Sequence, residues 1–160
     1  MRTLYLLRHA HSLEKQTGQT DKMRELSSIG ASQCLAIGQY IQLKNYLVER
    51  VISSDAQRAM QTATLVTQPL RIKREDILIE EEIYKASIPS FLAVIQSQNT
   101  DHVLLVGHNP TISYFAEYFT DEDLGEVPPG TLMVLHSATS TDWSQMAKGS
   151  MQLIDKFIPD

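Results

Sequence analysis

Two runs of the chain, Leu4-Tyr5-Leu6-Leu7 and Val103-Leu104-Leu105-Val106, are apolar without interruption. A strand with one face in water alternates polar and apolar side chains, so a strand that does not alternate is buried on both faces. Such strands belong to a sheet covered by helices on each side. The expected fold is therefore α/β, with a mostly parallel central sheet and helices on both faces.

The rest of the chain alternates as such a sheet requires. Ser27 or Ser28 opens a helical pattern through Gly30, Cys34, Ile37 and Ile41, and Val51 to Ser53 reads as a short strand. Ala56, Ala59, Met60, Ala63 and Val66 mark a second helix that stops near Pro69. Ile77 to Ile79 reads as a short strand, and Ser87 caps a helix expected to run to about Gln98. Asn109 and Pro110 form a cap and first-turn pair for a helix to Phe119. Leu132 to His136 and Met151 to Ile158 read as the last strands. Residues 12–26 form a polar loop, and Asp121 to Gly130 an acidic one. No repeat or Gly/Ser linker divides the 160 residues, which predicts a single domain over 1–160.

Composition narrows the function. With 14 Lys and Arg against 19 Asp and Glu, the net charge is -5, which argues against a general nucleic-acid binder. No stretch approaches the roughly 18 apolar residues of a membrane span, and the N-terminal apolar run is too short for a signal segment. Cys34 alone cannot form an intrachain disulfide, which fits the reducing cytoplasm. The expected partners therefore include neither nucleic acid nor membrane.

In open α/β sheets the ligand site lies beyond the carboxyl ends of the strands. Arg8-His9-Ala10-His11 follows the first apolar run, Ser54-Asp55-Ala56-Gln57-Arg58 follows the second short strand, and Gly107-His108-Asn109-Pro110 follows the next long run. The last two lead into helices, whose N-terminal N–H groups favour an anion. Arginine offers a planar fork of donors that matches phosphoryl oxygens, and histidine can attack phosphorus. The set predicts a phosphoryl-transfer site that needs neither metal nor cofactor.

These segments, in this order, resemble the histidine phosphatase superfamily, and the short chain is similar to its bacterial phosphohistidine phosphatases, the SixA type. Arg24-Glu25-Leu26-Ser27-Ser28-Ile29-Gly30 resembles the family's lead into its first helix, and Pro129-Gly130-Thr131 its late turn. The resemblance implies a phosphoglycerate-mutase-like fold with His9 as the nucleophile and Arg8, Arg58 and His108 around the phosphoryl oxygens. It also implies a mid-chain acid, for which Glu82 is favoured over Glu81 within the Glu80 to Glu82 run. Ala10 stands where glycine is commoner, the loop after His9 lacks the asparagine usual in mutases, and no long insertion is present to build a lid. The implied function is a metal-independent phosphatase that removes phosphate from a phosphorylated histidine on a protein through a phosphohistidine enzyme. The alternatives are a small-molecule phosphomonoesterase of the same fold and a non-catalytic phosphoprotein-binding module.

Plainer explanations compete at several of these positions. Arg58 taken alone reads as a surface helix residue, although a cation in a first turn asks for a compensating anion. His9-x-His11 resembles half a metal site, but no partner cluster lies at ligand spacing, so His11 reads as a rim residue. Cys34 and the Tyr114, Phe115, Tyr118 and Phe119 set read as packing. In the expected chemistry a neutral His9 attacks while a protonated His108 stabilises charge, which requires their pKa values to be pushed apart.

Overall fold

The computed structural model describes residues 1–85, 87–137, 139 and 142–160. Six strands, β1 (Thr3–Arg8), β2 (Arg50–Ser53), β3 (Ile77–Ile79), β4 (His102–Gly107), β5 (Leu132–Ser137) and β6 (Met151–Phe157), form one sheet in the order β3-β2-β4-β1-β5-β6. The pairs β3–β2, β2–β4 and β4–β1 are parallel, and β5 runs antiparallel to both β1 and β6. This is the α/β fold expected, with the two apolar runs as its central neighbours.

Alternation along β1 explains why that run contains no polar residue. Leu4 and Leu6 face a core built with Phe91 and Ile95 of helix α3 (Ile88–Gln96) and Ile112, Phe115 and Phe119 of helix α4 (Thr111–Thr120). Tyr5 and Leu7 face the opposite core, with Cys34, Ile37 and Ile41 of helix α1 (Ser28–Leu43) and Ala59, Ala63 and Val66 of helix α2 (Gln57–Thr67). Burying a Leu or Phe on either side contributes roughly 1.5–3 kcal/mol, so both faces must stay apolar.

Helix boundaries follow local chemistry. Ser27 caps α1 by accepting from the Gly30 N–H, and Ser87 caps α3 through a reciprocal pair with Ser90. Helix α3 ends at Gln96, two residues short of expectation, with the Gln98 amide turned back onto the Val94 carbonyl. Pro110 sits one position before the first turn of α4, and its peptide bond with Asn109 is cis. The Asn109 side chain reaches past it and accepts from the Ser113 N–H and hydroxyl.

Gly30 is required by close approach. A Cβ there would lie 2.1 Å from the His11 carbonyl oxygen, which already accepts from the Ser27 N–H. Gly30→Ala is expected to cost about 1–3 kcal/mol, read as a lower denaturant midpoint, because backbone must move to admit the methyl. An unchanged midpoint would mean that α1 and the turn after β1 are not locked together.

Candidate active site

Parallel pairing sets Arg8 opposite Gly107 and Ser53 opposite Val106. The residues after these strand ends, Ser54, His9 and His108, therefore meet at the centre of one sheet edge. The His9 N–H donates to the Gly107 carbonyl, and the Gly130 N–H donates to the His9 carbonyl at 3.0 Å. Gly130 turns with φ +82°, a conformation open to glycine, which lets the late loop close over β1.

The His9 ring is buried, and its Nδ1 lies 2.8 Å from the Ala10 carbonyl oxygen. A carbonyl only accepts, so Nδ1 carries the proton and Nε2 keeps its lone pair. Arg58 Nε–H donates to that Nε2 at 3.3 Å. Burial, with the nearby Arg58, Arg8 and Arg24 acting in the same direction, pushes the His9 pKa down to about 4, so the ring is neutral at neutral pH.

Arg58 is buried, not solvent-facing. Its terminal nitrogens donate to the Asp21 carbonyl at 2.8 Å and the Asp21 carboxylate at 2.9 Å. Asp21 also accepts from Arg24 at 3.1 Å and from the Tyr84 hydroxyl at 2.5 Å. The Tyr84 hydrogen bond, together with Arg58 and Arg24, holds the Asp21 carboxyl far below the usual carboxylate range, so it stays ionised. The compensating anion expected for a cation in the first turn of α2 is thus supplied by the chain itself. Helix and loop are joined further: the Ala10 N–H donates to Thr62 Oγ1, which donates to the Arg58 carbonyl.

His108 lies with its ring centroid 5.1 Å from that of His9, and the Tyr84 ring stands nearly perpendicular to it with centroids 5.4 Å apart. Burial, then His9, Arg58 and Arg8, push its pKa down to about 3. The expected protonated His108 is therefore corrected. A buried ring beside two guanidinium groups stays uncharged, and both histidine pKa values move in the same direction. Among the described residues, Arg8 Nε and His108 Nδ1 are buried with no hydrogen-bond partner. Each such atom costs about 1–3 kcal/mol until it is paired.

These groups line a cavity of about 320 Å³ that contains Arg8, His9, Arg24, Arg58 and His108. His11 is at its rim, with Nδ1 2.6 Å from Ser27 Oγ, and Glu14 is the carboxylate in its lining. Glu81 and Glu82 are exposed on a 3-10 turn, and the Glu80 to Glu82 run contributes nothing to the lining. A larger cavity of about 580 Å³ between α1 and α2 is lined by groups such as Leu26, Ala31 and Met60 and contains none of the predicted site residues. The smaller cavity is the candidate active site, because the neutral His9 ring lines it together with Arg8 and His108, each of which carries a buried nitrogen with no partner among the described residues.

The His9 ring is expected to titrate near 4 when followed by its proton resonances, against an ordinary value of 6.5. Between those values the unfolded chain binds a proton that folded His9 refuses, so stability rises with pH there and is lost as pH falls. A midpoint close to 6.5 would mean that burial and the arginines do not act on this ring.

The profile of the histidine phosphatase superfamily (branch 1) matches residues 4–83. A phosphohistidine phosphatase SixA, so named, from Agrobacterium tumefaciens is 28% identical, with a TM-score of 0.84 over 99% of this chain and 98% of that one. A mycobacterial glucosyl-3-phosphoglycerate phosphatase, 16% identical, shares the fold with a TM-score of 0.69 over 96% of this chain and 97% of that one. An uncharacterized chloroplastic protein of Arabidopsis thaliana is 30% identical over 104 residues, which is 64% of this chain and 44% of that protein. The chain thus spans less than half the length of that relative. The chain belongs to the histidine phosphatase superfamily, branch 1, and is of the SixA type.

Proposed function

We propose that this protein is a phosphatase that removes phosphate from a phosphorylated histidine of another protein, through a phosphoryl group held on His9. The observation that carries this reading is a neutral His9 ring, its Nε2 free of a proton, lining one small cavity with Arg8 and His108, whose Nε and Nδ1 have no hydrogen-bond partner among the described residues. An anion with three equatorial oxygens suits such a lining, and a neutral imidazole nitrogen is the nucleophile such an anion needs.

In the first step His9 Nε2 attacks phosphorus in line, forming one P–N bond as the bond to the substrate imidazole breaks. The departing nitrogen takes up a proton from solvent water, and the water that attacks in the second step returns one to solvent. In the second step water attacks the His9 phosphoryl group, and His9 leaves with its Nδ1 proton still directed at the Ala10 carbonyl. Arg8, Arg58 and His108 stabilise the equatorial oxygens in both steps. Asp21 serves as the counter-ion that orients Arg58, since an ionised carboxylate of such low pKa is a poor proton donor.

A protein-borne phosphohistidine suits this site for two reasons. An imidazole that gains a proton leaves more readily than an alkoxide, so a weak acid set suffices. The exposed His11 and Glu14 belong to the cavity lining, which leaves the cavity reachable by a side chain projecting from a folded partner. A cytoplasmic location accords with the single, buried, free Cys34.

Comparing kcat/KM for a phosphorylated histidine-containing protein and for several sugar phosphates tests the substrate. The phosphoprotein is expected to be preferred. A sugar phosphate ahead by about tenfold, a difference of about 1.4 kcal/mol in transition-state stabilisation, would assign a small-molecule phosphomonoesterase instead. Phosphate binding without turnover of either class would assign a binding module. The same assay in EDTA is expected to be unchanged, because Arg8 and Arg58 supply the positive charge. Loss of activity restored by a divalent ion would contradict that expectation.

A further inference from the structure

Ser54 is the first residue beyond β2 and is completely buried. Its N–H donates to the Val106 carbonyl at the end of β4, which fixes it beside His108. Ser54 Oγ lies 2.7 Å from His108 Nε2 and accepts from the Ala56 N–H at 3.1 Å. These contacts leave the hydroxyl proton to be placed. Among the described residues, His108 Nε2 is the partner available to it besides the Ala56 N–H, which cannot accept.

Counting protons separates the possible forms of His108. If Nε2 carried the proton, Ser54 Oγ would accept twice and its own proton would be buried without an acceptor. Nδ1 would then turn a lone pair toward the phosphoryl oxygens, acceptor against acceptor. If both nitrogens were protonated, the hydroxyl would be stranded in the same way and a third cation would sit beside Arg8 and Arg58. If Ser54 donates to Nε2, every proton has a partner except that on Nδ1. Nδ1 is the atom found buried and unpaired in a ring that lines the cavity. An arriving phosphoryl oxygen completes the set.

We propose that Ser54 is a positioning residue that fixes His108 as its Nδ1–H tautomer, so that an uncharged imidazole donates a hydrogen bond to the transferring phosphoryl group. The proposal rests on the phosphoryl-transfer reading of this cavity, but not on which leaving group the substrate carries. His9 and His108 are then two neutral rings in the same protonation state with opposite duties. His9 turns its lone pair to phosphorus, and His108 turns its N–H to the oxygens. The hydrogen-bond partner of the other nitrogen decides the duty of each, the Ala10 carbonyl for one and the Ser54 hydroxyl for the other.

The resting wild-type enzyme, labelled with 15N in its histidines, provides the direct test. Long-range 1H–15N correlations at neutral pH are expected to give the Nδ1–H pattern for His108. An Nε2–H or imidazolium pattern would overturn the proposal, whatever substrate the enzyme prefers. In Ser54→Ala that preference is expected to be lost and kcat for para-nitrophenyl phosphate to fall about 10- to 100-fold, the usual size of losing an orienting partner. KM should change much less. In a His108→Ala background the same substitution should cost nothing further, whereas a purely structural role would cost the same in both backgrounds. Wild-type kcat and tautomer in folded Ser54→Ala would also overturn the proposal. If that variant does not fold, the wild-type spectrum still decides.

Discussion

His9→Ala is expected to lower kcat by about 10⁴-fold or more while the protein remains folded, because the side chain forms the bond to phosphorus and nothing nearby replaces it. The residual rate would come from charge stabilisation by Arg8 and Arg58, which the substitution leaves in place. Folding is expected to survive because the main chain at position 9 is held by the Gly107 carbonyl and the Gly130 N–H, neither of which depends on the ring. Circular dichroism and a thermal scan check the fold, and steady-state kinetics check the loss. A folded His9→Ala enzyme with near wild-type turnover would remove His9 from the chemistry.

Arg58→Lys is the second large effect, expected at about 10- to 1000-fold in kcat/KM, the range for removing one oriented donor to a developing anion. Its three nitrogens divide their work: Nε faces His9 Nε2, and the two terminal nitrogens hold the carbonyl and carboxylate of Asp21. A lysine ammonium keeps the charge but is a single point on a flexible stem, so it cannot face His9 and grip Asp21 at once. The loop carrying Asp21 should loosen as well, which protease sensitivity near residues 12–26 would register. Kinetics and proteolysis indistinguishable from wild type would mean that the fork geometry is not used.

How much of this was legible in the sequence depended on the range of the interactions involved. His9, Arg8 and His108 could be found because each follows an apolar run directly, and the end of a buried parallel strand is a place that local pattern defines. Arg58 could be found from its position in the first turn of α2, yet its burial could not. Its solvent cover is removed by the 12–26 segment, whose lack of periodicity gave no sign of where it would lie. The contacts of Asp21 and Arg24 are not legible in the sequence for that reason, and Tyr84 reaches Asp21 from the separate turn after β3, although a first-turn arginine already demanded a negative partner.

The charge of His108 differs from the sequence expectation because burial opposes the pairing with an anion that its motif suggests. Desolvation and two neighbouring guanidinium groups outweigh the attraction of an absent substrate. Ser54 was hidden behind its own motif, where the sequence offered the hydroxyl no partner until β2 and β4 were placed side by side. The Glu80 to Glu82 run failed to join the cavity for a related reason. Ile83 is the buried residue of that 3-10 turn, and anchoring it leaves Glu81 and Glu82 in solvent.

The central claim is that phosphate passes through His9 on its way to water. Wild-type enzyme mixed with a limiting phosphorylated substrate and quenched in alkali within one turnover is expected to gain the mass of one phosphoryl group. That group should map to His9 and be lost on mild acid treatment, as a phosphorus–nitrogen bond requires. Complete release of phosphate with no phosphoenzyme at any time in the turnover, or a phosphoryl group on another residue, would contradict the account.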